Sequence, residues 1–233
     1  MIYRARVLES RRLTPSSHMI RVEKAPGFQY LPVQFCGLEL ATTAGGEEYP
    51  MSLASSPTQA FLEFGARLSD SPWKTAFEAL RPGDEVEVDG AYGHFVLDTR
   101  RDALFVAGGI GITPLKGMAH YLADTGSPRH AVLIYGNRSQ EEIAYREELH
   151  ELERANPHFS VVHTLSREPT ESGWRGRRGR IDATLLREAA TPLKDPIYYL
   201  CGRGAMVMEV GQVLLRLGVP RERISFEVFR GYA

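Results

Sequence analysis

The first hundred residues alternate apolar and polar positions in short stretches. The alternation is clearest over residues 4–11, 19–23 and 61–68, and turn formers such as Pro82-Gly83-Asp84 separate the stretches. Alternation with a period of two indicates strands that bury one face. Residues 74–80 carry a helical pattern instead. This pattern is typical of a small antiparallel barrel or sandwich, and we predict a β-barrel over residues 1–99, interrupted by one helix.

The pattern changes beyond residue 100, where continuous apolar runs alternate with helical segments. Apolar runs cover residues 103–107, 131–135, 159–163, 197–200 and 224–229, and helical patterns cover 115–122, 141–154 and 205–217. Continuous apolar strands separated by helices indicate a parallel sheet that is covered on both faces. We therefore predict a doubly wound α/β domain over residues 100–233, following the barrel domain.

Composition excludes several classes of protein. The 233 residues are 43% hydrophobic and 24% charged with a net charge of −1, which is ordinary for a globular protein and gives no general attraction to nucleic acid or membrane. Two thiols, Cys36 and Cys201, are too few for an iron–sulfur cluster or a four-cysteine zinc site. No apolar leader follows Met1. We expect a cytoplasmic protein with reduced thiols and no metal, and the sequence leaves its oligomeric state open.

A glycine-rich turn follows the first parallel strand and opens a helix. It contains Gly109, Gly111, Thr113 and Pro114. Glycines let the backbone approach a phosphate, and the start of a helix attracts an anion. Tight packing of the strand against the helix is the alternative explanation. A second turn, Cys201-Gly202, follows the fourth parallel strand at the same edge of the sheet, so together the two turns predict a nucleotide crevice.

Four segments occur in the order typical of one family. They are residues 49–52, 109–114, 201–202 and 227–229. Together they resemble the ferredoxin–NADP reductase-like flavoproteins, which include bacterial flavin reductases, and the resemblance covers nearly the whole chain. It implies FAD rather than FMN in the barrel domain, and NADPH or NADH on the α/β domain.

The resemblance places the flavin along residues 49–52, that is Tyr49, Pro50, Met51 and Ser52. Tyr49 stands where the family has an arginine that pairs with a cofactor phosphate, so that charge is missing. Met51 stands where the family has a tyrosine, and its side chain can still pack against a flavin ring. The strand over residues 61–68 is similar to one that lines the ring, which implies contacts from Ala66 and Leu68.

The helix start near residue 72 is similar to the family's turn at the cofactor diphosphate. Lys74 and Thr75 add a cation and a hydroxyl there. Trp73 has two interpretations that remain open: it stacks on the adenine of FAD, or it packs against the barrel.

The resemblance also implies a hydride-transfer centre. Ser52, Cys201 and Glu227 would surround the transfer point as catalytic residues: Ser52 near the reactive flavin nitrogen, Cys201 against the nicotinamide, and Glu227 orienting Ser52 or relaying protons. Phe229 would cover the flavin, and Tyr232 is a second candidate for that role. Ordinary packing of the last strand, and a buried apolar role for Cys201, are the alternatives.

The choice between NADPH and NADH depends on arginines that can bind a 2′-phosphate. Arg138, Arg167 and Arg180 match the positions used by NADPH-dependent bacterial relatives, which slightly favours NADPH, and Ser166 beside Arg167 is a further candidate contact. A solvated basic loop and a docking surface for an acidic protein are the alternatives.

These features predict an enzyme that transfers hydride from NAD(P)H to FAD and passes electrons to a separate acceptor. That acceptor would be a ferredoxin or other iron–sulfur protein, a flavodoxin or an oxygenase component. A reductase that releases free reduced flavin is the first alternative, and a non-catalytic electron-transfer subunit is the second.

Overall fold

The computed structural model describes residues 1–32, 34–42 and 45–229, with only the backbone of Thr42 described. Within these residues, the first half of the chain forms an antiparallel sheet and a short helix. In chain order the elements are β1 (Ile2–Thr14), β2 (Ser17–Glu23), β3 (Phe35–Thr42), β4 (Gly45–Ser52), β5 (Phe61–Arg67), α1 (Pro72–Ala79) and β6 (Glu85–Tyr92). The strand order is β4-β3-β6-β1-β2-β5, and a bridge between Leu53 and Phe64 joins the two edges. The sheet therefore curls into a barrel.

The second half forms a parallel sheet with helices on both faces. Its elements are β7 (Ala103–Gly108), α2 (Ile112–Asp124), β8 (Ala131–Asn137), α3 (Arg146–Ala155), β9 (Phe159–Leu165), β10 (Arg177–Arg178), α4 (Ala183–Ala190), β11 (Ile197–Arg203), α5 (Gly204–Arg216) and β12 (Ile224–Phe229). The strand order is β10-β9-β8-β7-β11-β12. The order reverses between β7 and β11, which is where doubly wound sheets bind ligands. The predicted fold class is confirmed.

Neighbouring side chains along the parallel strands point into different cores. Phe105 of β7 packs with residues of α2 and α3, whereas Leu104 and Val106 pack with residues of α4 and α5. This explains why the strands are apolar without alternation: each is buried on both faces. No helix in the described part of the chain combines the length and apolarity needed to cross a membrane.

Helix α2 joins the two halves. The Lys116 ammonium is fully buried and contacts the Glu63 carboxylate of β5 at 2.7 Å and the Glu148 carboxylate of α3 at 2.8 Å. Arg21 of β2 also pairs with Glu63, at 2.7 Å. A buried charge is tolerated when it is paired and hydrogen-bonded. This cluster therefore links the barrel to the nucleotide-side helix.

The sequence pattern missed four elements, one of which is the two-residue strand β10. β4 is mostly exposed and contains Pro50, so it lacks the alternation of a half-buried strand and suits only the edge of a sheet. Its partner β3 and the helix α4 were also not predicted. The helix expected over residues 141–154 starts only at Arg146, because Tyr145 adopts a left-handed backbone (φ 56°).

Candidate active site

Two cavities lie at the seam between the halves. A cleft of about 370 Å³ opens at the carboxyl edge of the parallel sheet, between the turns that follow β7 and β11. A pocket of about 220 Å³ lies between β4, β5, α1 and the end of β12. Phe229 borders both cavities. A ligand in the cleft and a ligand in the pocket would therefore be separated by this one aromatic ring.

Gly109 and Gly111, both in the turn that follows β7, have different structural roles. Gly109 has a left-handed backbone (φ 54°) with open space beside its Cα, and it lines the cleft. A Cβ on Gly111 would overlap the carbonyl of Cys201, so Gly111 permits close packing of two strand ends. The Tyr135 hydroxyl donates to the Gly109 carbonyl at 3.0 Å and holds the turn. Room for a phosphate and tight packing therefore both occur here, at different glycines.

Thr113 and Pro114 are buried in the first turn of α2. The Thr113 hydroxyl donates to the Ile110 carbonyl at 3.1 Å. Neither residue lines the cleft. They shape the helix start, and the turn itself faces the cleft together with Gly202.

Polar side chains border the far end of the cleft. They are Arg138, Ser166, Arg167 and Arg180. The Arg167 backbone N–H donates to the Arg138 carbonyl at 2.8 Å, which holds the ends of β8 and β9 together. Arg180 contacts Glu209 only loosely, at 3.8 Å. Exposed guanidinium groups converging on one end of a cleft can bind a phosphate.

Other arginines of the same loop build the loop itself. Arg177 pairs with Asp182 at 3.0 Å and with Glu188 at 3.1 Å. The Arg178 guanidinium donates to four loop carbonyls, those of Glu168, Pro169, Thr170 and Trp174. The high arginine content of this loop thus has a structural cause in part.

The three residues expected to be catalytic lie together although they are distant in sequence. The Ser52 hydroxyl donates to the Glu227 carboxylate at 3.1 Å, and the Cys201 sulfur lies 4.0 Å from the same carboxylate oxygen. Cys201 and Glu227 are register neighbours on β11 and β12. Burial raises the pKa of Glu227 to about 7, and the Ser52 hydrogen bond opposes this shift. Burial, and then the Glu227 charge, raise the pKa of Cys201 well above its usual value.

The pocket beside β4 is lined as the resemblance implies, with one change. Tyr49, Pro50, Met51, Ser52 and Lys74 all border it. Ala66 does not, because it is buried in the barrel core, and Leu68 lies beyond the end of β5. Instead, Gly65 borders the pocket and Arg67 borders the cleft. Since side chains alternate along a strand, the expected contacts were shifted by one residue.

The helix α1 resolves the two interpretations of Trp73. Its side chain is 1% exposed, stacks on Phe77 at 5.1 Å between ring centroids, and donates its N–H to the Leu38 carbonyl at 3.2 Å. Trp73 therefore packs in the barrel and offers no face to an adenine. Thr75 is exposed, and its hydroxyl is held by the Ser71 carbonyl at 3.1 Å. Tyr232 lies outside the described residues.

The residues present fit a flavin and a dinucleotide. The pocket combines ring-sized apolar walls (Phe35, Met51 and Phe229) with a hydroxyl at Ser52 and a cation at Lys74. The cleft combines an open glycine turn at a helix start with arginines at its far end. Sequence reasoning had missed Phe35, Gly65 and Arg67. The central residues of β5 are all buried, so its pattern does not show which face meets the seam, and nothing singled out Phe35.

A barrel with a pocket that fits a flavin faces a dinucleotide cleft across one aromatic ring. This arrangement defines a two-domain nicotinamide–flavin reductase. Residues 105–212 match the oxidoreductase NAD-binding domain family. The chain is 32% identical over 237 residues to ferredoxin–NADP reductase B of Sorangium cellulosum, covering 97% of this chain and 96% of that protein. The chain belongs to the ferredoxin–NADP reductase family. It is an NAD(P)H-dependent flavoprotein reductase, as predicted.

Further comparisons agree with this assignment. The chain is 37% identical over 158 residues to one component of the Na(+)-translocating NADH-quinone reductase of Methylococcus capsulatus, covering 65% of this chain but 39% of that protein. The cytochrome P450 reductase GcoB of Amycolatopsis has the same fold, with a TM-score of 0.82 and 25% identity over 98% of this chain and 70% of that one. A ferredoxin NADP+ reductase of Neisseria gonorrhoeae has a TM-score of 0.82, 22% identity and coverage of 97% and 98%.

Proposed function

We propose that this chain is an NADPH-preferring reductase that delivers electrons from FAD to a separate protein acceptor. The observation that supports the proposal is the Ser52–Glu227–Cys201 cluster. Ser52 and Glu227 border the flavin pocket, whereas Cys201 is fully buried beside Glu227 and directly precedes Gly202, which borders the dinucleotide cleft. The acceptor we propose is an iron–sulfur protein, a flavodoxin or an oxygenase component. Nucleic acid and membrane are not among the proposed partners.

Bound FAD supplies the redox chemistry, since it accepts two electrons together and can release them one at a time. The protein's residues supply position and charge. Ser52 would hold the reactive edge of the flavin, and Cys201 would pack against the nicotinamide. An ionised Glu227 would orient the Ser52 hydroxyl and stabilise the positive charge that develops on a nicotinamide as it gives up hydride.

The preference for NADPH is supported by the far end of the cleft. Arg138 and Arg167 are exposed there, and among the described residues neither side chain forms an ion pair. A 2′-phosphate would give these guanidinium groups the bidentate partner that they lack. NADH has no such group, so we expect the arginines to matter for NADPH alone.

This preference is tested with Arg167→Ala. The variant should raise KM for NADPH about tenfold to hundredfold, the equivalent of a lost charge-assisted hydrogen bond, and leave KM for NADH nearly unchanged. Arg187→Ala is the matched control, because Arg187 is an exposed arginine of α4 outside the cleft. Equal effects on the two substrates would overturn the assignment.

A second function remains open because Tyr49 brings no charge to the flavin pocket. A weakly held flavin would suit a reductase that releases free reduced flavin. The visible spectrum after gel filtration separates the two functions. Retained flavin absorbance supports the proposed reductase, whereas a colourless protein that oxidises NADPH only with added flavin supports the second function.

We also propose a domain boundary between residues 99 and 100, in the connection from β6 to β7. A reducing compartment such as the cytoplasm suits the protein, because Cys36 and Cys201 are both free and buried.

A further inference from the structure

Lys74 is a nearly buried cation that lacks an anionic partner. Its side chain is 6% exposed and borders the flavin pocket. Among the described residues its ammonium forms no hydrogen bond and no ion pair; its neighbours are two aromatic rings. The nitrogen lies 4.3 Å from the ring centroid of Tyr49 and 4.6 Å from that of Trp73.

This position is electrostatically unfavourable when the pocket holds no anion. Removing an ammonium from water costs free energy that two cation–π contacts return only in part. Lys74 also lies in the first turn of α1, which contains no acidic residue. The exposed N–H groups of a helix start carry partial positive charge, so they repel a cation and attract an anion. Burial accordingly lowers the pKa of Lys74 to about 8.

Lys116 carries another deeply buried ammonium, and its ion-pair partners can be compared with the surroundings of Lys74. Lys116 is fully buried and contacts two carboxylates, Glu63 at 2.7 Å and Glu148 at 2.8 Å. Lys74 is buried to a similar degree, yet it faces a cavity rather than a carboxylate. The partner of Lys74 is therefore expected to come from outside the chain and to be negatively charged.

We propose that Lys74 binds a phosphate group of the flavin nucleotide, replacing the charge that Tyr49 does not supply. This assignment rests on the proposed function, since it takes the pocket as the FAD site. The Tyr49 ring holds the ammonium at the pocket wall. At the start of α1, Pro72 has no N–H and the Lys74 N–H already donates to the Ser71 hydroxyl, so the helix start contributes its partial positive charge rather than a set of free donors. One cation and one helix start then share the phosphate.

The test measures flavin affinity of the apoprotein by quenching of flavin fluorescence. Lys74→Met should weaken FAD and FMN binding about tenfold to hundredfold, as expected for a lost hydrogen bond between charged groups. Riboflavin has no phosphate, so its affinity should not change. Lys74→Arg keeps the charge and should stay close to wild type. Lys24→Met is the matched control, because the Lys24 ammonium also lies over an aromatic ring, that of Tyr30, but outside the pocket.

A second readout needs no flavin. Lys74→Met removes an unpaired buried charge, so the apoprotein should unfold about 2–4 °C higher than wild type. The double variant Tyr49→Arg/Lys74→Gln moves the charge across the pocket and should recover most of the FAD affinity that Lys74→Gln alone loses.

The assignment is overturned if Lys74→Met binds FAD as tightly as wild type, or loses riboflavin to the same extent as FAD. It is also overturned if the Lys74→Met apoprotein is destabilised, because the ammonium would then have a partner within the chain. Failure of the proposed function gives a different result, namely that wild-type apoprotein binds no flavin.

Discussion

Replacing Gly117 by alanine tests whether helix α2 fixes the distance between the two halves of the site. Gly117 lies in the middle of α2, whose start forms the dinucleotide turn. A Cβ at this position would lie 2.8 Å from the Ser55 carbonyl oxygen and 3.2 Å from that of Leu53. These carbonyls belong to the segment that directly follows Ser52. The helix and the flavin-side segment therefore touch through backbone atoms, with no side chain to yield.

The magnitude follows from two opposing effects. Alanine in place of glycine within a helix gains about 1 kcal/mol, whereas overpacking a rigid contact costs about 1–3 kcal/mol. Gly117→Ala should thus range from neutral to about 2 kcal/mol destabilising. Gly211 provides the matched control, because it lies inside α5 and an added Cβ there would have nothing within 4 Å. Gly211→Ala should stabilise by about 1 kcal/mol.

Thermal unfolding of the two FAD-loaded variants measures the difference. The midpoint should rise by about 2–4 °C in Gly211→Ala and stay unchanged or fall by up to about 8 °C in Gly117→Ala. Flavin reduction by NADPH, followed by stopped flow, should slow in Gly117→Ala, because a misplacement of about 1 Å can cost about a hundredfold in rate. The reasoning is refuted if both variants are stabilised equally and reduce flavin at the wild-type rate.

Two further predictions concern the charges at the seam. The rate of flavin reduction by NADPH should increase with pH around a midpoint near 7. Burial raises the pKa of Glu227 to about 7, so its carboxylate ionises there and stabilises the developing charge on the nicotinamide. Stopped-flow traces from about pH 5.5 to 8.5 should lose this dependence in Glu227→Gln, and an unchanged profile would exclude Glu227 as the group that titrates. Lys116→Met should lower the free energy of unfolding in urea by about 3 kcal/mol. This value is near the lower limit for breaking a buried ion pair, because Arg21 still neutralises Glu63. A change below about 1 kcal/mol would show that the cluster does not join the two halves.

Much of the fold could be predicted because burial on both faces leaves a strong sequence signal. The apolar runs of β7, β8 and β11 carry that signal. β4 gave none, because an exposed edge strand with a proline has no buried face to mark it. The shift from Ala66 to Gly65 has a similar cause: all five central residues of β5 are buried, so the pattern cannot show which face meets the seam.

The residues of the site could be predicted mainly because their motifs occur along the chain in the order typical of one family. Ser52 and Glu227 are 175 residues apart, and no periodicity relates them. The resemblance to a family brought them together. Contacts between backbone atoms and the burial of Lys74 depend on the packing of separate elements, so only the three-dimensional structure shows them. The same holds for Trp73, whose side chain suits a barrel core and a cofactor stack equally well until its neighbours are known.

The central claim is that the barrel and the parallel sheet hold a flavin and a nicotinamide against each other at Phe229. It is tested most directly by anaerobic stopped flow of the FAD-loaded protein with NADPH that carries deuterium at the transferred position of the nicotinamide. We predict rapid bleaching of the flavin absorbance with a primary isotope effect clearly above one. Absence of bleaching, or slow bleaching that does not depend on the isotope, would contradict the account.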